Sequence, residues 1–288
     1  MKYKTISGHY DTVYSLEQNN RKFIPQNVDY RRTSRNYNCI AAGQETYMDL
    51  EDPRYLPEFW ARYRELTQLY WEERSIATTL EEIYGKLYEP SFRAFQDKQR
   101  PCRRYNGTYL QKIREECHEA AKMKQQTRNA KIRKTAEAIE IVFGIGDMDN
   151  TGYANAPTDA YQSELLLKDY CDHLMQSEHV CFVTTKDLET PNWQPPFKNG
   201  LIVLNLTVHC DEATPGIHLT CIPYSRGCKR GPEVQAALGR AMTGMVGVMV
   251  GNGNTRARTQ GATYLHQIIM LPRQRSARKR FNVFCKKR

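Results

Sequence analysis

Two apolar runs limit the fold of this chain more than any other feature. LIVLNLTV covers residues 201–208, LTCIPY covers residues 219–224, and the ten residues HCDEATPGIH stand between them. Each run has the length and composition of a buried strand. Strands joined by so short a connection pair antiparallel, so the sequence predicts a β-hairpin inside a sheet.

The segments around this hairpin predict a mixture of strands and helices. AEAIEIVFGI (136–145) and HVCFVTT (179–185) have the composition of strands. A helix with an apolar face is predicted after an N-cap at Thr158, and another helix is predicted to open at Pro232. Because neighbouring strands are joined directly, the expected fold class is α+β, a central antiparallel sheet with packed helices.

A long helical insertion is predicted at about residues 51–135. Apolar residues recur at helical spacing from Phe59 to Leu87, and a second, charged helix is expected from about Thr108 to Thr135. Pro90, Pro101 and the NG pair at 106–107 interrupt the pattern. These apolar stripes are typical of core or helix contacts. The expected domain covers residues 1–245 and includes the insertion.

The net charge of the chain is concentrated at one end. The whole chain has 42 basic and 32 acidic residues, and residues 246–288 contain ten Lys and Arg with no Asp or Glu. The first 245 residues therefore carry 42 − 10 = 32 basic and 32 acidic side chains. The tail is predicted to be poorly ordered. It is either an arm that binds nucleic acid through its phosphates or a solvated terminus that binds polyanions without specificity.

Cysteine usage and hydropathy predict the compartment. The nine cysteines are odd in number and contain no CxxC pair, which argues against a disulfide framework and a zinc ribbon. The N-terminus has no apolar signal region, and no apolar run approaches the length of a membrane span. We therefore expect a soluble cytoplasmic protein without a membrane span.

The polar stretch inside the hairpin is a candidate metal site. His209 ends the first strand, His218 begins the second, and Glu212 lies in the connection. Imidazoles on adjacent strands can converge, and a mixed His and Glu set suits Mn²⁺ or Zn²⁺ better than Ca²⁺. The alternative is a polar hairpin whose side chains hydrogen-bond to one another.

The same stretch resembles the metal motif of the MobV-type relaxases, the Pre/Mob plasmid mobilisation and recombination proteins. That motif has the form H-x-D-E-x-x-P-H-x-H, and the chain matches it at five positions: His209, Asp211, Glu212, Pro215 and His218. Upstream, the family pattern H-N-x-R followed by N-x-D-x-x-R-x-x-x-N is matched at six positions: Asn19, Arg21, Asn27, Asp29, Arg32 and Asn36. The likeness covers roughly residues 1–245.

The resemblance implies a two-histidine nicking fold with the metal site at the centre of an antiparallel sheet. It implies an enzyme that nicks one DNA strand at a plasmid transfer origin with Mn²⁺ or Mg²⁺ and acts beside other mobilisation proteins. A metal ion held by imidazoles would orient the scissile phosphate and neutralise its charge. Arg21 and Arg32 would contact the phosphate.

The resemblance also implies a set of DNA-contacting residues. They are Asn19, Asn27, Asp29, Asn36, Arg133, Lys134, Arg226, Lys229 and Arg230. Lys134 is expected to clamp phosphate, and Asn27 and Asn36 to position it by hydrogen bonds. The alternative for Asn27, Asp29 and Asn36 is a loop of Asx-turns.

Two departures from the family pattern affect catalysis. Gln18 stands where the family has its nucleophilic histidine, and an amide is no nucleophile toward phosphorus. Gly216 replaces the middle metal histidine. His9 is a possible substitute nucleophile, and Tyr3, Tyr10 and Tyr14 lie in the same stretch. Two functions stay open, a nicking enzyme with an altered or relocated nucleophile and a DNA-binding module that cannot cut.

Overall fold

A computed structural model describes residues 6–11, 14–21, 27–40, 78–126, 137–174 and 177–246. Within these ranges a six-stranded sheet has the order β1-β3-β6-β5-β2, and β4 pairs with β5 beside this path. The strands are β1 (Ile6–Asp11), β2 (Tyr37–Ile40), β3 (Ile139–Ile145), β4 (Val180–Phe182), β5 (Asn199–His209) and β6 (Gly216–Ser225). All pairs are antiparallel except β4 with β5, so the α+β class is confirmed and the sheet is mixed.

Helices lie on this sheet and between its strands. They are α1 (Leu16–Asn19), α2 (Leu80–Ile83), α3 (Glu89–Asp97), α4 (Tyr109–Gln126), α5 (Met148–Thr151), α6 (Pro157–Leu174), α7 (Thr185–Glu189) and α8 (Leu238–Val246). A π-helical turn, Tyr84–Tyr88, joins α2 to α3, and 3-10 turns occur at Tyr30–Arg35 and Pro101–Arg103. The predicted helical stripe before residue 78, the stretch 127–136 and the tail after residue 246 lie outside the described residues.

Two predicted helix starts differ from the structure. Segment 232–237 is not helical, because the backbone of Gln235 exchanges two hydrogen bonds with Ser225, of 2.9 and 3.0 Å, and helix α8 begins at Leu238. Pro232 therefore does not open a helix. Thr158 is already inside α6, which begins at Pro157, since proline at the first helical position loses no hydrogen bond.

The two faces of the sheet bury different groups. One face packs Leu206, Val208 and Leu219 against α6 and α8 in a continuous apolar cluster. The other face packs Ile202 and Ile222 against α2, α3 and α4. The helices cover the sheet on both sides, so the central strands β5 and β6 are buried along almost their whole length.

A bulge in β5 changes the character of the second face. The register between β5 and β6 shifts between Val203 and Asn205, so Leu204 and Asn205 both point away from the cluster that contains Val203 and Leu206. Beyond the bulge this face carries polar residues instead of apolar ones: Asn205, Thr207 and His209 on β5, and Thr220 and His218 on β6. The bulge thus directs polar side chains to this face at the end of β5, where the candidate site lies.

Leu219→Ala tests the central packing. Leu219 is fully buried on β6, so we expect the substitution to lower the free energy of unfolding by about 2–5 kcal/mol, through lost burial and a residual cavity. Leu165→Ala is the matched control, because Leu165 on α6 is 43 % exposed. Urea denaturation measures both. A loss in the control as large as that of Leu219→Ala would contradict the described packing.

Candidate metal centre

The hairpin brings His209 and His218 together on the polar face of the sheet. His209 pairs with Gly216, and His218 pairs with Thr207, so the two histidines stand in adjacent rows of neighbouring strands. Directly paired residues and those two positions along share a face, which puts both rings on one side. Their ring centroids are 4.3 Å apart. The predicted convergence of the two imidazoles is confirmed.

Glu212 completes a group of three possible ligands. Its Oε1 lies 3.0 Å from His209 Nδ1 and 3.9 Å from His218 Nε2. One donor atom from each of the three residues can be chosen so that all lie within 4.8 Å of one another. Ligands of one metal ion at bond lengths of about 2.0–2.2 Å lie no more than about 4.4 Å apart, and the separations of 3.0 and 3.9 Å fit within that limit. The three side chains could therefore hold a metal ion.

The outer nitrogen of each imidazole is held by an acceptor. His209 Nε2 lies 2.8 Å from the carbonyl oxygen of Asn19, which can only accept, so this nitrogen carries the hydrogen. His218 Nδ1 lies 3.0 Å from Oε1 of Glu140, to which it donates in the same way. Metal-binding histidines are oriented by hydrogen bonds of this kind. The nitrogens that face Glu212 are then His209 Nδ1 and His218 Nε2, with free lone pairs.

The electrostatics favour a cation at this point. Complete burial, reinforced by the positive charge of Arg21, lowers the pKa of His209 to about 4, so its ring is neutral at pH 7. Burial opposes ionisation of Glu212, but its contacts with His209, His218 and Arg21 outweigh that effect and hold the pKa of this carboxyl well below its usual range. Two lone pairs and one carboxylate thus face each other. A divalent cation bound between them satisfies all three.

Glu140 is the site residue that the sequence did not reveal. It lies on β3 next to His218, and its Oε1 also accepts a 2.6 Å hydrogen bond from the side-chain amide of Asn19. The pKa of Glu140 is lowered, because hydrogen bonds to His218 and Asn19 outweigh the effect of burial. A charged residue between the two isoleucines of an otherwise apolar strand was the available signal.

Arg21 fixes the first motif to the hairpin turn. Its Nε and Nη2 donate to the two oxygens of Asp211 at 3.0 and 2.6 Å, and Nη2 also donates to Glu212 at 3.0 Å. Nη1 donates to the carbonyl oxygen of Gln18. Arg21 is only 1 % exposed and has a positive φ of 55°. The predicted phosphate contact is therefore not its role in this structure, where the guanidinium is occupied by the protein's own acceptors.

Asp211 connects the second motif to the same turn. Its Oδ2 accepts hydrogen bonds from Thr33 Oγ1 at 2.9 Å and from Asn36 Nδ2 at 2.8 Å. Asn36 also accepts a bond from the backbone N–H of Cys210. The backbone N–H of Asp29 donates to the carbonyl oxygen of Asp211 at 2.7 Å. Segments far apart in sequence thus meet at one buried carboxylate.

Arg32 and Asp29 also act within the protein. Arg32 donates to the carbonyl oxygens of Cys210 and Glu212, and its guanidinium lies 4.1 Å from the ring centroid of Tyr153. Like Arg21, Arg32 donates N–H hydrogen bonds to the turn of the protein itself and not to a phosphate. Asp29 caps the 3-10 turn and pairs with Arg31 and Arg32, as expected of the Asx-turn alternative.

Three further predicted site residues that the structure describes are Gln18, Asn27 and His9. Gln18 is half-exposed on α1, one residue before the carbonyl that contacts His209. Asn27 is exposed. His9 on β1 pairs with Val142 on β3, and Val142 pairs with His218 on β6. Strand β3 therefore separates His9 from His218. The DNA contacts predicted for Arg133 and Lys134 lie outside the described residues, as does Tyr3.

Two further groups lie away from the site. Burial and the negative charge of Glu137 raise the pKa of Tyr14, which packs against the cluster around α2 and α4. Arg226, Lys229 and Arg230 follow the last residue of β6, at the opposite end of the hairpin from His209. Their predicted role in DNA binding therefore concerns a separate surface.

Comparison of the chain with protein-family models, with curated proteins and with solved structures finds no match. Among the described residues, no helix has the length and apolar composition needed to cross a membrane.

Asp211→Asn tests the buried ion pair. The amide removes the negative charge that compensates Arg21, so we expect the free energy of unfolding to fall by about 3–5 kcal/mol, the usual cost of an uncompensated buried charge. Asp29→Asn is the control, since its pairs with Arg31 and Arg32 are exposed or half-exposed and should contribute less than about 1 kcal/mol.

The same carboxylate gives the expected pH dependence. The pKa of Asp211 is lowered in the folded protein, because contacts with Arg21 and Asn36 outweigh burial. Its stabilisation is therefore present above the unfolded pKa and is lost as the pH falls through the folded pKa. Denaturation curves recorded from neutral to acidic pH should show that loss in the unmodified protein and a flatter profile in Asp211→Asn. Equal profiles would contradict the assignment.

Proposed function

We propose that this protein is a metal-dependent DNA-binding protein of the relaxase type, acting on one DNA strand at a transfer origin of a plasmid or mobile element. The observation that carries the proposal is the donor set of His209, Glu212 and His218, whose lone pairs converge while Asn19 and Glu140 hold the outer imidazole nitrogens. This arrangement goes beyond a polar hairpin, because it leaves three acceptors facing one point.

The contacts among three separate motifs support the proposal. The resemblance to MobV-type relaxases rests on residues 18–21, 27–36 and 209–218, and all three segments meet at Asp211 and Glu212. If the short motifs resembled the family only by chance, there would be no reason for the three segments to be neighbours in the folded protein.

The proposed ion is Mn²⁺ or Mg²⁺, with Mn²⁺ better suited to two imidazoles and one carboxylate. When bound, it would supply positive charge to a phosphate and orient it for in-line attack. The chain itself positions the ligands. Glu140 and the carbonyl of Asn19 fix the two rings, and Arg21 holds the turn that carries Glu212.

A binding module without cutting activity is the second candidate function. Gln18 occupies the nucleophile position of the resembled family, and its amide has neither a titratable proton nor a useful lone pair for attack on phosphorus. Gly216 offers no ligand where the family has a histidine. Both observations favour binding over catalysis for the chain as it stands.

Gly216→His should tighten metal binding. Gly216 pairs with His209, and a Cβ at this position would meet only the carbonyl oxygen of Phe143, at an ordinary 3.5 Å. A third imidazole held by the sheet adds a metal bond at little entropic cost, so we expect at least about tenfold tighter Mn²⁺ binding in calorimetry, or about 1.4 kcal/mol.

Two controls define this experiment. Gly216→Ala adds a side chain without a ligand and should leave the affinity of the unmodified protein unchanged. His218→Ala should abolish binding, because it removes one of the three donors. Equal affinity for Gly216→His and Gly216→Ala would show that position 216 does not face the ion.

The chain as it stands should bind an origin oligonucleotide in a salt-sensitive way and form no covalent adduct with it. Combining Gln18→His with Gly216→His should produce an adduct on a denaturing gel, because transfer of the phosphoryl group needs both a nucleophile and a well-held phosphate. Each single substitution serves as a control and should give none. An adduct of the unmodified protein that His9→Ala abolishes would instead mean that the nucleophile has moved.

A further inference from the structure

A second group of cations lies at the end of the β5–β6 hairpin that is distant from the metal centre. We call it the distal basic surface, and it consists of Lys198, Arg226, Lys229, Arg230 and Arg240. Lys198 precedes the first residue of β5 and Arg226 follows the last residue of β6, while Asn199 and Ser225 pair at the end of the ladder. The surface therefore starts where the two central strands open.

Backbone contacts hold these cations close together. The N–H of Arg226 donates to the carbonyl oxygen of Lys198 at 2.8 Å, and Arg240 Nη2 makes a long contact of 3.4 Å with the carbonyl oxygen of Gly227. Gly227 has a φ of +72°, and the side chain of Lys198 passes so near it that an added Cβ would be 3.4 Å from Nζ. The turn needs glycine there both for its conformation and for the lysine that covers it.

The cations of this surface outnumber its acidic residues five to one. Glu233 is the sole acidic residue between 226 and 240, and its backbone carbonyl accepts from Cys228. Among the described residues, no ion pair of 4.0 Å or less involves any of the five cations. Lys198, Lys229, Arg230 and Arg240 are exposed. Five like charges in one place repel one another, and an anion that bridges them relieves that repulsion.

The surface fits phosphate groups better than bases. Segment 226–240 contains Arg, Lys and Gly but no Phe, Tyr or Trp, so it offers no aromatic platform on which an unpaired base could stack. Arg and Lys side chains together with a glycine turn are the usual contacts to a nucleic-acid backbone. This composition favours the backbone of a duplex over an extended single strand.

The distance to the metal centre separates the two sites. Ser225 stands nine residues along β6 from Gly216, which corresponds to about 30 Å of strand. At about 3.4 Å per base pair, a duplex covers that distance in about nine base pairs. One phosphate cannot contact both places, but one DNA molecule can.

We propose that the distal basic surface binds the phosphate backbone of duplex DNA next to the single strand that is held at the metal centre. This inference rests on the proposed function and extends it with a second contact of defined position. In this arrangement the metal centre receives the scissile strand, and the distal surface sets how far the duplex lies from it. The surface contributes affinity and register without reading sequence.

A triple variant with Lys229→Gln, Arg230→Gln and Arg240→Gln tests the surface. The probes are a single-stranded oligonucleotide and the same strand joined to a duplex arm of about 15 base pairs, longer than the roughly nine needed. Each lost phosphate contact lowers the slope of log K against log salt by about 0.9, so we expect a decrease of about 2.7 with the duplex-bearing probe. Binding of the single strand should not change.

The matched control removes three cations from other elements: Arg93→Gln, Lys112→Gln and Lys186→Gln, on α3, α4 and α7. It should keep the full salt slope with both probes. Circular dichroism melting of both triple variants checks that each is folded. As a separate arm, vesicles with anionic phospholipids test the alternative that the surface binds a membrane.

The outcomes separate this inference from the proposed function. An unchanged slope for the triple variant, an equal loss on the single strand, or a charge-dependent gain for vesicles alone would overturn the distal surface as a duplex site while the proposed function stands. If the unmodified protein binds neither probe, both proposals fail. The inference is supported if the slope of log K against log salt decreases with the duplex-bearing probe and stays unchanged with the single strand.

Discussion

The buried ion pair between Arg21 and Asp211 is the interaction on which the whole site depends. Asp211 accepts from Arg21 through two nitrogens and also holds Thr33 and Asn36, so three parts of the chain share one carboxylate. Replacing a buried ion pair with apolar groups is often neutral or stabilising, so stability alone does not explain it. Its effect is positional, because Arg21 also holds Glu212 beside the two histidines.

Strand register is the second constraint. Side chains alternate between the faces of a sheet, so a shift of one residue would move His209 into the apolar cluster on the opposite side. The bulge between Val203 and Asn205 resets the alternation, and Gly216 pairs with His209 without adding a side chain to the site. The candidate metal centre thus results from a hairpin whose register is defined by burial on one face and by polar contacts on the other.

The sequence predicted what depends on local pattern. The hairpin and the convergence of His209 and His218 follow from strand alternation and a short connection, and both are confirmed. The role of Glu140 and the inward direction of Arg21 depend on contacts across more than a hundred residues, which no local spacing encodes. The prediction of a helix that opens at Pro232 was wrong because Gln235 pairs with Ser225 on the preceding strand, and this contact is not visible in the local pattern.

The two departures from the relaxase pattern act on different requirements. Gly216 reduces the number of ligands, yet the remaining donors keep their orientation, because the outer nitrogens of both imidazoles are held independently of position 216. Gln18 removes the nucleophile, but the backbone around it still contacts the centre through Asn19. Binding of a cation and a phosphate therefore depends on groups that the chain retains, whereas bond cleavage depends on a group that it lacks at that position. The retained groups therefore agree better with the proposed DNA binding at the candidate metal centre than with cutting.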